Sequence, residues 1–391
     1  MARPRGEATG RGGGFRDVEG SNDQEDNDKV VGVKKLDLYI IRKFLGTFFF
    51  SLGLILSIAI VFDISERLEK FLESKATVMD IIVDYYLNFV PYFANVFSAL
   101  FTFISVIFFT SKLASNSEII AILSTGISFR RLTRPYLMSA ALIATLSLLL
   151  SAFVIPNANR KRNLFAEQHL NRRYMNNEKN IHRQIAPGTY IYMSSLSPST
   201  PVGFHFALER FNGDTLVSKW TSDRVEWRED LKKWRVYRWK VREFAGNEQS
   251  YYTGEQLDTT LNFSFKEFTE DPKRVKENLT LPQLNEYIDR QKLRGSANVV
   301  EFQLEKYKMF ANAFSTFILT MIGVCIASKK VRGGMGFHLG VGLTISFSYI
   351  LFMQFSTVFA TNGGMNPMLA VWLPDILFAI VALFVYRLAP K

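Results

Sequence analysis

A chain of 391 residues that is 48% hydrophobic and 14% aromatic, with 35 Phe, is too apolar for two or three soluble domains. A mean hydropathy of only +0.05 excludes membrane helix throughout, so apolar stretches must be averaged against a sizeable polar part. The net charge of +11 fits topology-setting or lipid-facing basic residues as well as it fits nucleic acid, and the single cysteine, Cys325, excludes an internal disulfide framework or a Cys-based zinc cluster.

Residues 1–33 are rich in Gly, Arg and acidic residues, lack the apolar core of a signal peptide, and are expected to form a disordered tail. Phe44 to Phe62 then carries no charge over 19 residues, which at about 1.5 Å per residue matches a hydrocarbon core of roughly 30 Å. Tyr85 to Ser111 and Pro135 to Asn159 repeat the pattern, as do Met309 to Ser328, Met335 to Thr361 and Pro367 to Tyr386. Six spans are therefore expected. Basic residues set their orientation: Arg42 and Lys43 precede span one, Lys112, Arg130, Arg131 and Arg134 lie between spans two and three, Lys329, Lys330 and Arg332 lie between four and five, and Arg387 follows six. Acidic residues outnumber basic ones from Asp63 to Asp84, and residues 362–366 are uncharged, as suits outer loops. Both termini are expected in the cytoplasm.

The polar region from residue 160 to 306 then lies outside, and its pattern is that of strands. Phe204, Phe206 and Leu208 alternate with His205, Ala207 and Glu209, and Asn212-Gly213 supplies a hairpin turn before Thr215. From Arg235 to Phe244, Tyr237, Trp239 and Val241 are expected on one face, with Arg238, Lys240 and Arg242 on the other. Leu261, Phe263 and Phe265 give a further alternation. The expected fold class is an α-helical membrane protein of six transmembrane helices, with an all-β, jelly-roll-like domain inserted between helices 3 and 4. Its parts are the tail (1–33), helices 1–3 (34–159), the β domain (160–306) and helices 4–6 (307–391). Thr280-Leu281-Pro282-Gln283 resembles a capping box leading toward span four.

No P-loop, H-E-x-x-H or G-x-S-x-G occurs, and His169, His182, His205 and His338 have no ligand spacing, so neither an enzyme nor a metal site is expected. Between spans two and three, Ser115-Asn116-Ser117-Glu118 matches a capping box, Ile119, Ile120, Ile122 and Leu123 follow, and Gly126 sits where the helix would end. This short amphipathic helix reads equally as a docking helix or an interfacial turn. Arg160, Lys161 and Arg162, with Arg172, Arg173, Lys179 and Arg183, place basic charge at the outer end of span three, where an anionic lipid group would fit. Arg67 and Lys70 are interleaved with Glu66, Glu69 and Glu73, either as helix-surface ion pairs or as lipid contacts. His338 and Asp375 are ionisable groups within spans, where a proton relay is one reading; for Asp375, which follows Pro374, the cap of a helix restarted after a kink is the favoured one.

Together, the six-span layout, Asn116-Ser117-Glu118-Ile119-Ile120-Ala121 through Gly126, and Trp372-Leu373-Pro374-Asp375 resemble the lipopolysaccharide export permease family LptF/LptG (YjgP/YjgQ). Leu36-Asp37-Leu38-Tyr39-Ile40 and the stretch Leu216 to Trp239 are similar as well. The resemblance runs from Lys34 onward and departs at Asp375, where the family often has Asn, and at Asp63 and Glu66, where relatives tend to offer basic residues. It implies a permease subunit in the bacterial inner membrane with a periplasmic β domain, paired with its paralogue on a cytoplasmic ATPase dimer, with a single-span periplasmic LptC-like protein and a periplasmic bridge protein as further partners. ATP would be used by the separate ATPase subunit, with no cofactor in this chain and no nucleic acid. By position, Glu118, Ile119, Ile120 and Leu123 would couple to the ATPase. Arg67, Lys70, Arg160, Arg162, Phe204, Phe206, Trp239 and Phe263 would meet lipid or lipopolysaccharide. A membrane-anchored periplasmic sensor or scaffold without transport is the alternative, and a lipoprotein-releasing permease is the nearest transport rival.

Overall fold

The structure is a computed structural model in which residues 35–170, 179–197, 200–246, 248–261, 265, 272–293, 298–331 and 333–389 are described. Among them are six helices long and apolar enough to cross a membrane: α1 (Lys35–Glu73), α2 (Val78–Ser115), α4 (Phe129–His169), α7 (Val299–Ala327), α8 (Gly334–Asn362) and α9 (Pro367–Arg387). Three shorter ones are α3 (Glu118–Ser124), α5 (Pro272–Asn278) and α6 (Leu281–Leu293). Five of the six uncharged stretches lie within a longer helix, and the fourth overruns the end of α7 only by Ser328, because a charged residue ends the hydrocarbon crossing without ending the helix. Thus α1 continues past Asp63 to Glu73. A true capping box opens α2: Thr77 N donates to Asp80 Oδ2 at 3.0 Å and Asp80 N donates to Thr77 Oγ1 at 3.3 Å. A π-helical turn, Ile81–Tyr86, follows, and a second one, Leu150–Val154, interrupts α4.

The bundle is built around α7, where small residues admit close neighbours. A Cβ on Gly323 would stand 2.9 Å from Val106 Cγ1 and 3.1 Å from Phe103 Cδ2 of α2, and Cys325 is buried beside them. On α1, Ile40, Phe44, Phe48 and Leu52 recur every fourth residue and form one buried stripe in a core shared with α2 and α4. The other faces of α1 and α8 remain open, with Phe50, Ile58 and Phe62 on the first and Phe347, Leu351 and Phe355 on the second. Polar links tie helices inside the apolar region: Thr110 Oγ1 donates to Tyr136 Oη at 3.2 Å, and Tyr349 Oη donates to Asp375 Oδ1 at 2.9 Å. Asp375 is therefore no cap. The α9 helix runs unbroken through Pro374, and the Asp375 carboxylate reaches sideways to α8.

The β region is a single antiparallel sheet whose described strands pair in sequence order: β1 (Lys179–Ala186), β2 (Thr189–Ser197), β3 (Val202–Asn212), β4 (Thr215–Arg228), β5 (Lys233–Ala245) and β6 (Glu248–Thr259). The β3–β4 hairpin turns on Gly213 (φ 60°) and Asp214, one residue later than the Asn-Gly reading, since Asn212 still pairs with Thr215.

Simple alternation fails at one register across four strands. The core-facing residues are Ile191, Met193 and then Leu196 in β2, and Leu208, Phe206 and then Gly203 in β3. They are Trp220, Ser222 and then Val225 in β4, and Trp239, then Val236 and Trp234 in β5. At the switch each strand inverts which parity faces inward. Pairing does not slip: Ala207↔Thr221↔Lys240 on one side and Phe204↔Arg224↔Tyr237 on the other keep the same register. Left-handed residues, His205 (φ 50°) and Arg238 (φ 47°), turn the phase in β3 and β5. Serines bridge the interrupted ladder: Ser194 Oγ donates to the Phe204 carbonyl at 3.1 Å, and Ser222 Oγ lies 2.6 Å from the Tyr237 carbonyl. The result is a transverse crease.

Candidate functional site

The end of the bundle that carries the basic loops holds α3. Its expected capping box does not form, because Ser115 is the last residue of α2 and the cap position falls to Ser117, whose left-handed backbone (φ 61°) leaves its side chain without a cap bond. Instead Asn116 Nδ2 donates to Glu118 Oε1 at 3.1 Å, and Ser117 Oγ accepts from Lys330 Nζ at 3.0 Å. Ile119 is only 1% exposed and belongs to the core of Ile40, Phe44, Phe129 and Tyr136, whereas Ile120 is 54% exposed. Ile122 and Leu123 pack at the edge of that core, so of the four residues expected to face a partner, Ile119 is an anchor within this chain. Gly126 (φ 87°) ends the segment as its position suggests, and Ser128 caps α4 by accepting from Arg131 N at 3.3 Å.

Two residues that the sequence reading did not pair complete this end. Arg131 donates to both carboxylate oxygens of Asp37, at 2.7 and 2.6 Å, with Asp37 only 5% exposed. The first turn of α4 is thereby fixed to the first turn of α1. The partners stand 94 residues apart, and the only sequence signal was an acidic residue among the basic ones that precede span one. His338, also at this end, has Nε2 3.0 Å from the Lys329 carbonyl, closing the loop between α7 and α8.

At the opposite end, Arg67 donates from Nε to Asp63 Oδ1 at 2.8 Å, and Tyr85 and Tyr86 donate to the same carboxylate at 3.3 and 3.2 Å. Its partner is thus Asp63, not Glu66, Glu69 or Glu73, while Lys70 stays exposed, so the two do not form one clamp. Arg160 donates to the Asn278 carbonyl at 3.3 Å, and Arg162 stands over the Tyr92 ring at 5.3 Å. These two arginines brace α4 against α5 and α2. Arg172 and Arg173 lie outside the described residues.

In the sheet, Phe206 is 1% exposed and Trp239 half-buried in the same cluster, but Phe204 is 42% exposed, because the left-handed His205 turns it to the other face. Tyr237 is parted from Trp239 by Arg238 in the same way, and its hydroxyl donates to Glu226 Oε2 at 3.0 Å while Arg224 lies 4.5 Å over its ring. Phe263 lies outside the described residues, whereas Leu261 and Phe265 pack on the sheet core. The indole N–H groups of Trp220 and Trp239 are buried with no acceptor among the described residues. Ion pairs among the described residues of the sheet and its turns include Glu226 with Arg224 and Asp258 with Arg235. Burial raises the Glu226 carboxyl, but bonds from Arg224 and Tyr237 outweigh it and leave it below its ordinary value. Two bonds from Arg235, at 2.7 and 2.9 Å, hold Asp258 below its own. No group of three or more His, Cys, Asp or Glu among the described residues could hold a metal ion.

Six apolar helices with an all-antiparallel β region between the third and fourth define a multi-pass membrane protein with an inserted β domain. The family described as lipopolysaccharide export system permease LptF/LptG matches residues 38–388, and the chain belongs to that family. A comparison with individual curated proteins finds no match. Membership makes the chain a transport permease of a lipopolysaccharide export system.

Proposed function

We propose that this chain is one transmembrane half of an ABC-type exporter that extracts lipopolysaccharide from the inner membrane and passes it to a periplasmic bridge toward the outer membrane. The observation that carries the reading is the seating of α3: Ile119 is locked into the bundle core while Glu118 and the exposed Ile120 face away from it. Force applied to that outer face passes through Arg131 and Asp37 into α1, a helix with an open apolar face. The force comes from a cytoplasmic ATPase dimer, the site of ATP use, and the open faces of α1 and α8 meet the paralogous subunit and the lipid. A single-span LptC-like protein joins on the periplasmic side.

In this reading both termini are cytoplasmic and residues 160–306 form the periplasmic domain, its sheet curling at the crease into a jelly-roll-like slot. Phe206 and Trp239 line that slot, and the unpaired indole N–H groups of Trp220 and Trp239 suit the ester and hydroxyl oxygens of acyl chains. Lys70 is the exposed outer cation of α1, and Arg67, Arg160 and Arg162 shape the rim that lipid A phosphates would pass. The test uses the intact complex. Glu118→Lys and Ile120→Asp should leave expression and insertion near normal while lowering ATPase recovery or uncoupling hydrolysis from lipopolysaccharide release by roughly tenfold or more, as loss of a pair at a desolvated interface does. Normal recovery and normal release in both variants would remove α3 from the mechanism.

A further inference from the structure

Where α2, α4 and α7 meet beneath α5, the bundle forms a partly open cavity of about 140 Å³. One wall is fixed by hydrogen bonds. Ser147 Oγ donates to Asn95 Oδ1 at 2.6 Å, and Asn95 Nδ2 donates to Ser151 Oγ at 2.9 Å, a contact made possible by the π turn that carries Ser151. Asn159, fully buried, donates from Nδ2 to the Glu277 carbonyl at 3.1 Å. That bond fixes which way the amide points and leaves Oδ1 buried with no donor among the described residues. A buried acceptor without a donor is costly, so the cavity is built for an N–H or O–H group.

Charge narrows the choice. Glu305 and Lys308, one turn of α7 apart, both line the cavity, and neither makes an ion pair among the described residues, whereas Lys276 on the far wall is already paired with Glu301 at 3.4 Å. A carboxylate beside an orphaned amide oxygen favours an ammonium bearing N–H donors, and an ammonium side chain across from it favours an anion. Val96, Ile155 and Met309, which lie on the spans, supply apolar parts of the wall beside Tyr92, Pro156, Leu279 and Asn312. The occupant must therefore carry both charges on a short polar unit and have an apolar extension. Water would satisfy Asn159, and the opposite charges of Glu305 and Lys308 would then have only each other, one turn apart and without an ion pair among the described residues.

We propose that this cavity binds the headgroup of a zwitterionic phospholipid with a primary ammonium, the ammonium held by Asn159 Oδ1 and Glu305 and the phosphate by Lys308. Because Asn159 also holds the carbonyl of Glu277, a seated headgroup stiffens the attachment of α5, the helix that leads back from the sheet to the bundle. Its assignment to the outer leaflet rests on the orientation proposed above; the chemistry of the cavity does not.

The experiment is native mass spectrometry of the full-length protein, within its complex, released from bilayers of equimolar phosphatidylethanolamine and phosphatidylcholine. These share the phosphate and differ in N–H donors. Phosphatidylethanolamine should be retained about tenfold over phosphatidylcholine, as one satisfied buried acceptor implies. Glu305→Gln should erase most of that preference, and Lys308→Met should lower retention of both lipids. Equal retention of the two lipids, or a preference untouched by Glu305→Gln, overturns the proposal. Displacement by soluble phosphoethanolamine at matched concentration overturns the lipid assignment. Retention that persists when the α3 variants transport normally leaves the site standing and sinks only the coupling reading.

Discussion

The helix bundle and the sheet bury aromatic side chains by different rules. On α1, Phe44 and Phe48 share a face because each residue of a continuous helix turns the next by a fixed angle, and that angle cannot be inverted without breaking the hydrogen-bond ladder. In the sheet, Phe204 and Phe206 are two positions apart, as same-face strand residues should be, yet one is 42% exposed and the other 1%. A single left-handed residue inverts the phase of a strand while its pairing survives, provided neighbouring strands invert at the same register and a hydroxyl replaces the lost ladder contact. Helix phase is thus a property of the element, and strand phase is a property of the sheet.

The largest effects should come from residues on which the crease and strict alternation disagree. Phe206→Ala and Trp234→Ala, both in the closed cluster, should each destabilise the β domain by about 3–5 kcal/mol, the usual cost of removing a buried aromatic. Phe204→Ala should cost no more than about 0.5 kcal/mol, as for surface positions. Hydrogen exchange of the strand amides in the full-length protein reads both. Equal protection loss in the Phe204 and Phe206 variants would mean that the phase is not inverted at His205.

How far the molecule is legible in its sequence follows from the same contrast. The spans are legible because twenty uncharged residues suffice to cross a membrane wherever the helix itself ends; the helix ends are not, as the run of α1 beyond Asp63 demonstrates. The strands β3, β4 and β5 announce themselves by alternation, but nothing about His205 or Arg238 as residue types signals a positive φ. On α3, the motif located the helix and its Gly126 terminus. Which of Ile119 and Ile120 turns inward depends on the core it packs against, and the pairing of Asp37 with Arg131 depends on tertiary contact alone.

The bundle's side of the comparison predicts intermediate effects. Removing Asp37 leaves the Arg131 guanidinium without its bidentate partner. Asp37→Ala should cost about 2 kcal/mol, below the full value for a buried pair because Arg131 is 28% exposed. The double variant with Arg131→Ala should recover part of that loss in thermal unfolding in detergent, and additive losses would show the pair to be uncoupled. Gly323→Ala adds a methyl where Val106 already stands 2.9 Å away, so overpacking should exceed the gain in helix propensity and leave a net loss of about 1 kcal/mol. Gly340→Ala, with nothing within 4 Å, should gain that propensity instead. Identical shifts in the two variants would mean that α7 is not held tightly against α2.

The smallest effect lies at the sheet's edge, where Arg235 of β5 holds Asp258 of β6 in two bonds at a position the crease does not disturb. Those bonds lower the carboxyl below its ordinary value, so the folded state binds this proton more weakly than the unfolded chain does. The pair's contribution is therefore fully present above the ordinary carboxylate range of about pH 4 and is lost as pH falls through the lower folded value. Because both side chains reach solvent, the effect should be slight and should shrink further in salt. Hydrogen exchange of β6 amides between about pH 3 and pH 6 is the measurement. The parent should lose protection faster than Asp258→Asn as the pH falls, and the difference should narrow at high ionic strength. Parallel curves would mean that β6 is held by its backbone ladder and by side-chain packing alone, which would make this edge resemble a helix, where phase and stability both belong to the backbone.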